Sequence, residues 1–277
     1  MLVFRVLEPP HQLLASNRMG FFLFGTFIPY YGFCIVVGIG CAFLLGYFLC
    51  KKLSLSVDDF ILLDAYMVAF GFLGAKLLYI IVSFRTIDFS LVFHSLANFN
   101  AFVASGFVFY GGLLGGLAAL PLVKKMHHLD VSAYIPVLVP CLSLAHAFGR
   151  VGCSLAGCCY GKITDGNLYF LYHKSAVAPN DVRLFPVQGI ESSCLFILTV
   201  IFTFLVLRNH FRKVHVVYIV SYSVIRFFLE FFRGDAERGI FGFLSTSQIV
   251  SLLLILGVIS FEFLTSILKT RPRIISS

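Results

Sequence analysis

Arg226, Glu230 and Arg233 stand at i, i+4 and i+7 in Val-Ile-Arg-Phe-Phe-Leu-Glu-Phe-Phe-Arg-Gly. On a helix they share one face. The rest of the stretch is aromatic and apolar, so a charged stripe there must turn inward, where Glu230 can pair with an arginine. Charge inside a bilayer is costly and usually functional; the competing reading is an ion pair that only joins helices. Asp64, Lys76, Arg150 and Glu191 are further charges in or beside apolar runs.

A second constellation is His146-Ala-Phe-Gly-Arg150-Val-Gly152-Cys-Ser-Leu-Ala-Gly157-Cys-Cys-Tyr-Gly161. Glycines let backbone approach a ligand closely, and the planar fork of Arg150 suits a phosphate. At a membrane surface, a lipid phosphate fits that pairing; a snorkelling arginine at a helix end is the plainer alternative. Downstream, Phe185-Pro-Val-Gln188-Gly-Ile-Glu191 opens an apolar run. Proline suits a helix start, and Gln188 and Glu191 lie one turn apart. Tyr110-Gly-Gly-Leu-Leu-Gly-Gly opens another run. Gly115 and Gly116 suit close helix packing, and Tyr110 sits where tyrosine is common at an interface.

The elements that must position these groups are transmembrane helices. Of 277 residues, 59% are hydrophobic and 12% charged, far from a soluble domain's balance. Apolar residues run in blocks near the length that crosses the hydrocarbon core, without the alternation of a membrane β-barrel. The expected spans are 30–49, 60–82, 106–123, 131–148, 189–207, 214–232 and 244–268. The fold class is thus an all-α integral membrane bundle of about seven helices, with residues 1–277 as a single transmembrane domain. Residues 1–20 lack the pattern of a cleaved secretory signal and read as a short surface segment.

The net charge of +8 does not point to nucleic acid. Lys51-Lys52, Lys124-Lys125, Arg208, Arg212-Lys213 and Lys269, Arg271, Arg273 each follow an apolar run. All fall on the cytoplasmic side if the N-terminus is outside and the C-terminus inside. The stretches 84–104, 149–188 and 233–243 then face outward, and 149–188 is a long extracytoplasmic loop of the kind that carries function.

Together these motifs resemble the prolipoprotein diacylglyceryl transferase family, nearly end to end. Tyr31-Gly32 is similar to its Tyr-Gly in the first helix, and Gly74-Ala-Lys76-Leu-Leu-Tyr79 to its Gly-Gly-Arg-x-Gly-Tyr. Gly149-Arg150-Val-Gly152, Gly157 and Gly161 match its glycine-arginine signature. Pro186, Gln188 and Glu191 match its His-Pro-x-Gln-x-x-Glu; Tyr222, Arg226, Glu230, Phe231 and Arg233 match Tyr-x-x-x-Arg-x-x-x-Glu-Phe-x-Arg; Gln248 matches a glutamine opening the last helix. The resemblance implies transfer of a diacylglyceryl group from phosphatidylglycerol to the lipobox cysteine of a prolipoprotein, in a bacterial cytoplasmic membrane, with glycerol phosphate leaving. It implies that Arg150, Tyr31, Gly152, Gly157, Gly161, Gln188, Tyr222 and Arg233 bind substrate, and that Arg226 and Glu230 belong to the catalytic set. Where the family has a histidine before Gly-Gly, this chain has Tyr110; its signature asparagines are Cys153 and Ala156, and its glutamate is Cys158.

Negative charge growing on a leaving phosphate calls for fixed cations, the role expected of Arg150 and Arg226. The attacking thiol needs a base. His146, one turn before Arg150, is one candidate and Tyr110 the other, although a phenol is a poor base unless an arginine lowers its pKa. Two rivals are a transporter, which would show internal repeats, and a redox or metal protein using Cys153, Cys158 and Cys159. Another acceptor within the same family is a third reading. Cys-x4-Cys-Cys fits no standard zinc pattern; no metal and no cofactor are expected, and a disulfide within the cluster is open.

Overall fold

A computed structural model describes residues 19–270 except 25, 210–212, 236–239 and 242. Residues 1–18 of the amino-terminal segment, Arg212, Arg271 and Arg273 lie outside the described residues. In chain order the helices are α1 Tyr30–Lys52, α2 Val57–Ser83, α3 Phe89–His94, α4 Leu96–Ala104, α5 Phe109–His127, α6 Val131–Ala156, α7 Val187–Asn209, α8 Val214–Leu229 and α9 Thr246–Thr270. Three two-stranded antiparallel ribbons accompany them: β1 Gly20–Leu23 with β2 Thr26–Pro29, β3 Phe170–Leu171 with β4 Arg183–Leu184, and β5 Ile240–Phe241 with β6 Leu244–Ser245.

Six of the described helices are long and apolar enough to cross a membrane: α1, α2, α6, α7, α8 (with the turn after it) and α9. The chain is therefore a multi-helix membrane protein. The expected third span is present as helix α5 but is not among the six. Its four glycines, Pro121, Lys124 and Lys125 dilute the apolar character of a 19-residue segment.

The chain divides into two compact units. The first takes in Phe43–Val137. Ser56 caps α2, its hydroxyl accepting from Asp59 N at 3.2 Å, and Asp58 and Asp59 lie in the first turn, where negative charge meets the positive helix end. Helices α2 and α5 pack backbone to backbone. A Cβ on Gly74 would lie 2.4 Å from the Gly111 carbonyl oxygen, and one on Gly115 would lie 2.1 Å from that of Phe70. Small residues permit such an approach, and dispersion rather than a hydrophobic force holds it in lipid. Lys76 Nζ donates to the Ser105 carbonyl at 2.7 Å and to that of Phe102, beneath the Phe102 ring. Its charge is thus spent on backbone and aromatic faces. The stretch after α2 forms the short helices α3 and α4, capped by Asp88 and Ser95.

The second unit takes in Met19–Ala42 and Leu138–Ser277. Its helices are joined by hydroxyls reaching across to carbonyls: Ser143 Oγ donates to Leu195 O and Ser192 Oγ to Ala147 O, each at 3.0 Å. The segment between α6 and α7 folds over a small core of Tyr172, Ala178 and Leu184. Its base is tied to the end of α8, with Lys162 N donating to Phe232 O at 2.8 Å and Gly234 N to Tyr160 O at 3.0 Å. Many large apolar side chains, among them Val36, Ile81, Val200 and Leu253, stand exposed on helix surfaces. A water-soluble monomer does not carry that much exposed apolar surface; against lipid tails it is the expected finish.

Candidate functional site

Helix α6 runs past the expected end at 148 to Ala156. Arg150 is therefore a helical residue, two turns inside the end. Gly152 serves a close helix contact: a Cβ there would lie 3.1 Å from the Tyr31 ring and from Cys34 Cβ. Tyr31 so braces α6 through Gly152. The helix stops only at Gly157, whose φ of +72° disfavours any side chain, and Cys158 N then bonds back to Cys153 O at 3.2 Å. This is the six-to-one bond of a Schellman cap.

Glu191, one turn into α7, is the centre of the site. It is 1% exposed, and Arg150 Nε lies 3.0 Å from its Oε1. Arg226 Nη1 stands 3.8 Å from its Oε2, and the Tyr222 hydroxyl donates to its Oε1 at 2.9 Å. Arg226 also pairs with Glu230, Nη2 to Oε2 at 2.6 Å, and donates to Ser247 Oγ at 3.1 Å. Arg233 stands 3.9 Å from Glu230 and is clamped by Asp235. Arg150, Arg226 and Arg233 thus face Glu191, Glu230 and Asp235, three cations against three carboxylates. Each carboxylate fixes a guanidinium in orientation. Removing one member of such a buried network strands a charge, at about 3–5 kcal/mol.

His146 lies on the Arg150 side of α6, as its spacing predicts. Its Nε2 is 3.5 Å from the Tyr222 hydroxyl, with the rings 4.9 Å apart edge to face. Gln188, buried, donates to Cys158 O at 2.8 Å and so pins the cap of α6 to the start of α7. Gly161 pairs with Arg233 in an isolated bridge, and its missing side chain makes room for Phe185 O. Gln248 opens α9, its Oε1 accepting from Ser245 N at 2.9 Å. Tyr110 belongs to the first unit, exposed at the start of α5.

Two expectations change. Arg233 does not continue the helical face of Arg226 and Glu230. Helix α8 gives way to a 3₁₀ turn over Glu230–Phe232, and Arg233 is extended. It meets Glu230 by folding back across that turn. Glu191, expected as a charge beside an apolar run one turn from Gln188, is what Arg150 and Arg226 share. Ser247 and Asp235 were not anticipated. Asp235 sits two residues from Arg233 and was open to that inference; Ser247 had no local signal.

The sulfurs of Cys153, Cys158 and Cys159 lie within 4.8 Å of one another, all as free thiols. Hydrogen bonds from Cys153 and Cys158, with Arg150 and Arg233 nearby, hold the Cys159 thiol well below its usual range. Its bond to Cys153 pulls Cys158 down, but the bond to Cys159 and burial outweigh this and push it up to about 11. Burial lowers Arg233, yet Asp235, Cys159 and Glu230 prevail and raise it above its ordinary value. Burial also raises Tyr172, to about 12, so it is a neutral donor to Ser154 O at 2.8 Å.

A multi-helix membrane protein whose arginines are ordered by buried carboxylates is the class that fold and site define. The sequence matches the family described as prolipoprotein diacylglyceryl transferase over residues 19–264. The chain belongs to this family of membrane transferases. It is 38% identical over 240 residues to phosphatidylglycerol–prolipoprotein diacylglyceryl transferase 2 of Clostridium perfringens, covering 85% of this chain and 90% of that protein. It is also 38% identical over 246 residues to the Clostridium tetani transferase, covering 87% and 95%. Identity to the Clostridioides difficile transferase is 26% over 242 residues.

Proposed function

We propose that this chain moves a diacylglyceryl group from phosphatidylglycerol to the lipobox cysteine thiol of a prolipoprotein and releases glycerol phosphate. One observation carries the reading: Arg150 and Arg226 converge on the single carboxylate of Glu191. A guanidinium offers five donors, so the carboxylate aims each fork without exhausting it. The lipid phosphate meets Arg150 and Arg226, while Glu230, itself paired with Arg233, holds the second arginine in place. The acceptor sulfur attacks the glyceryl carbon. The new S–C bond forms as the C–O bond to phosphate breaks, and its electron pair leaves on the phosphate oxygen. Preoriented guanidinium groups in a dry site stabilise that charge without reorganising. The thiol proton goes to His146, which the Tyr222 hydroxyl, itself bonded to Glu191, holds in position.

The same reading sets seven spans, α5 included, with the N-terminus outside and the C-terminus inside a bacterial cytoplasmic membrane. It rests on the basic residues that close α1, α5 and α7. The segment between α6 and α7 then faces outward, where a translocated prolipoprotein presents its cysteine. Reporter fusions after Lys52, Lys125 and Lys213 should all read cytoplasmic; an outward reading at any one breaks the arrangement. The activity is tested with purified protein, phosphatidylglycerol vesicles and a lipobox peptide. A peptide mass increased by one diacylglyceryl group is expected. An unmodified peptide, together with failure to rescue a strain depleted of its own diacylglyceryl transferase, would count against this acceptor.

A further inference from the structure

The Schellman cap that ends α6 does more than stop a helix. Its six-to-one bond places Cys158 over Cys153, where such a cap usually sets an apolar contact. Cys159 has a φ of +58°, an uncommon conformation for a residue with a side chain. It brings a third sulfur to the other two, all within 4.8 Å. An apolar contact needs neither the third sulfur nor its backbone conformation. Three thiolates bound to a tetrahedral zinc at ~2.3 Å stand about 3.8 Å apart, so the sulfurs need move by an ångström or less.

We propose that Cys153, Cys158 and Cys159 hold one zinc ion, whose fourth position takes the thiol of the acceptor cysteine. The proposal rests on the acyl-glyceryl transfer reading above and deepens it. Zinc takes four ligands, and a site with three protein ligands keeps one position open for substrate. No fourth His, Asp or Glu joins the cluster among the described residues. Three thiolates and Zn²⁺ carry a net charge of −1, close to neutral.

Coordination would deprotonate the incoming thiol, its proton passing through water to His146. The metal-held sulfur then forms the S–C bond, and the product thioether, a poorer ligand, departs. Zinc changes no oxidation state, so no electron donor or acceptor is needed. Gln188 ties this cap to α7, three residues from Glu191, so the metal-held thiol and the phosphate-binding arginines share one scaffold.

The test uses the full chain in detergent with reductant. Metal analysis should find about one zinc per chain, falling at least tenfold in each of Cys153→Ser, Cys158→Ser and Cys159→Ser. Replacing zinc with Co²⁺ in the parent chain should give strong sulfur-to-cobalt charge-transfer absorption. A lipobox peptide should shift the cobalt bands, and its Cys→Ser counterpart should not. No metal uptake, copper in place of zinc, zinc unchanged in the variants, or a disulfide in the cluster would overturn the proposal. Cobalt bands indifferent to the cysteine peptide would overturn the open fourth position. Because these readouts need no turnover, bands that respond to the peptide in a preparation without transferase activity would uphold the site while removing the reaction.

Discussion

The α2–α5 pair and the α6–α7–α8 group solve the same problem by opposite means. In the first unit, two helices approach until glycine backbones touch, and the charge of Lys76 is absorbed by carbonyls and rings. In the second, helices are joined through arginines, carboxylates and hydroxyls. Glycine contact tolerates no added atom but involves no buried charge. The ionic group is costly to desolvate, and it is where the proposed chemistry is placed.

Glu191→Gln sharpens this contrast most. It leaves Arg150 and Arg226 without their shared counter-charge, and activity should fall more than a hundredfold with a destabilisation of about 3–5 kcal/mol. Transferase assay and thermal melting in detergent check both. Next come Arg150→Lys and Arg226→Lys, expected to lose about a hundredfold in activity while expressing normally, since a point charge does not replace a bidentate fork. Full activity in both would end the phosphate role.

Gly115→Leu acts on the other unit. A side chain there must displace the Phe70 backbone, and overpacking of this kind costs about 1–3 kcal/mol; a lowered melting temperature is the readout. An unchanged one would show that the α2–α5 contact is not limiting. Tyr222→Phe removes one hydrogen bond to a charged group, worth about 1.5–3 kcal/mol; the expected fall in activity is roughly tenfold or more. Smallest is Tyr110→Phe, expected to change activity less than threefold because the proposed mechanism gives the proton to His146, not the phenol. A larger loss would hand the base to Tyr110.

The sequence made the helices legible because continuous apolar runs have one physical use. It made Arg226 and Glu230 legible too, since their spacing is local. The end of α6 was not. Gly149 and Gly152 look like breakers until Tyr31, more than a hundred residues away, explains why a side chain is missing at Gly152. Arg233 was misplaced for a similar reason: an i+7 spacing continues a helical face only if the helix continues, and here it tightens at Glu230. The three cysteines were legible as a cluster; the approach of their sulfurs to within 4.8 Å goes with a left-handed residue at Cys159, which no spacing pattern encodes.

The segment between α6 and α7 is closed at its base by backbone bonds, Thr164 N to Arg183 O and Phe185 N to Lys162 O. Beyond that closure, residues 165–169 are exposed. Extra residues inserted there would lengthen a stalk without moving its anchorage. The same exposed stretch is a ready attachment point for a fused reporter domain, because the backbone closure holds the charged residues in register whatever is added beyond it.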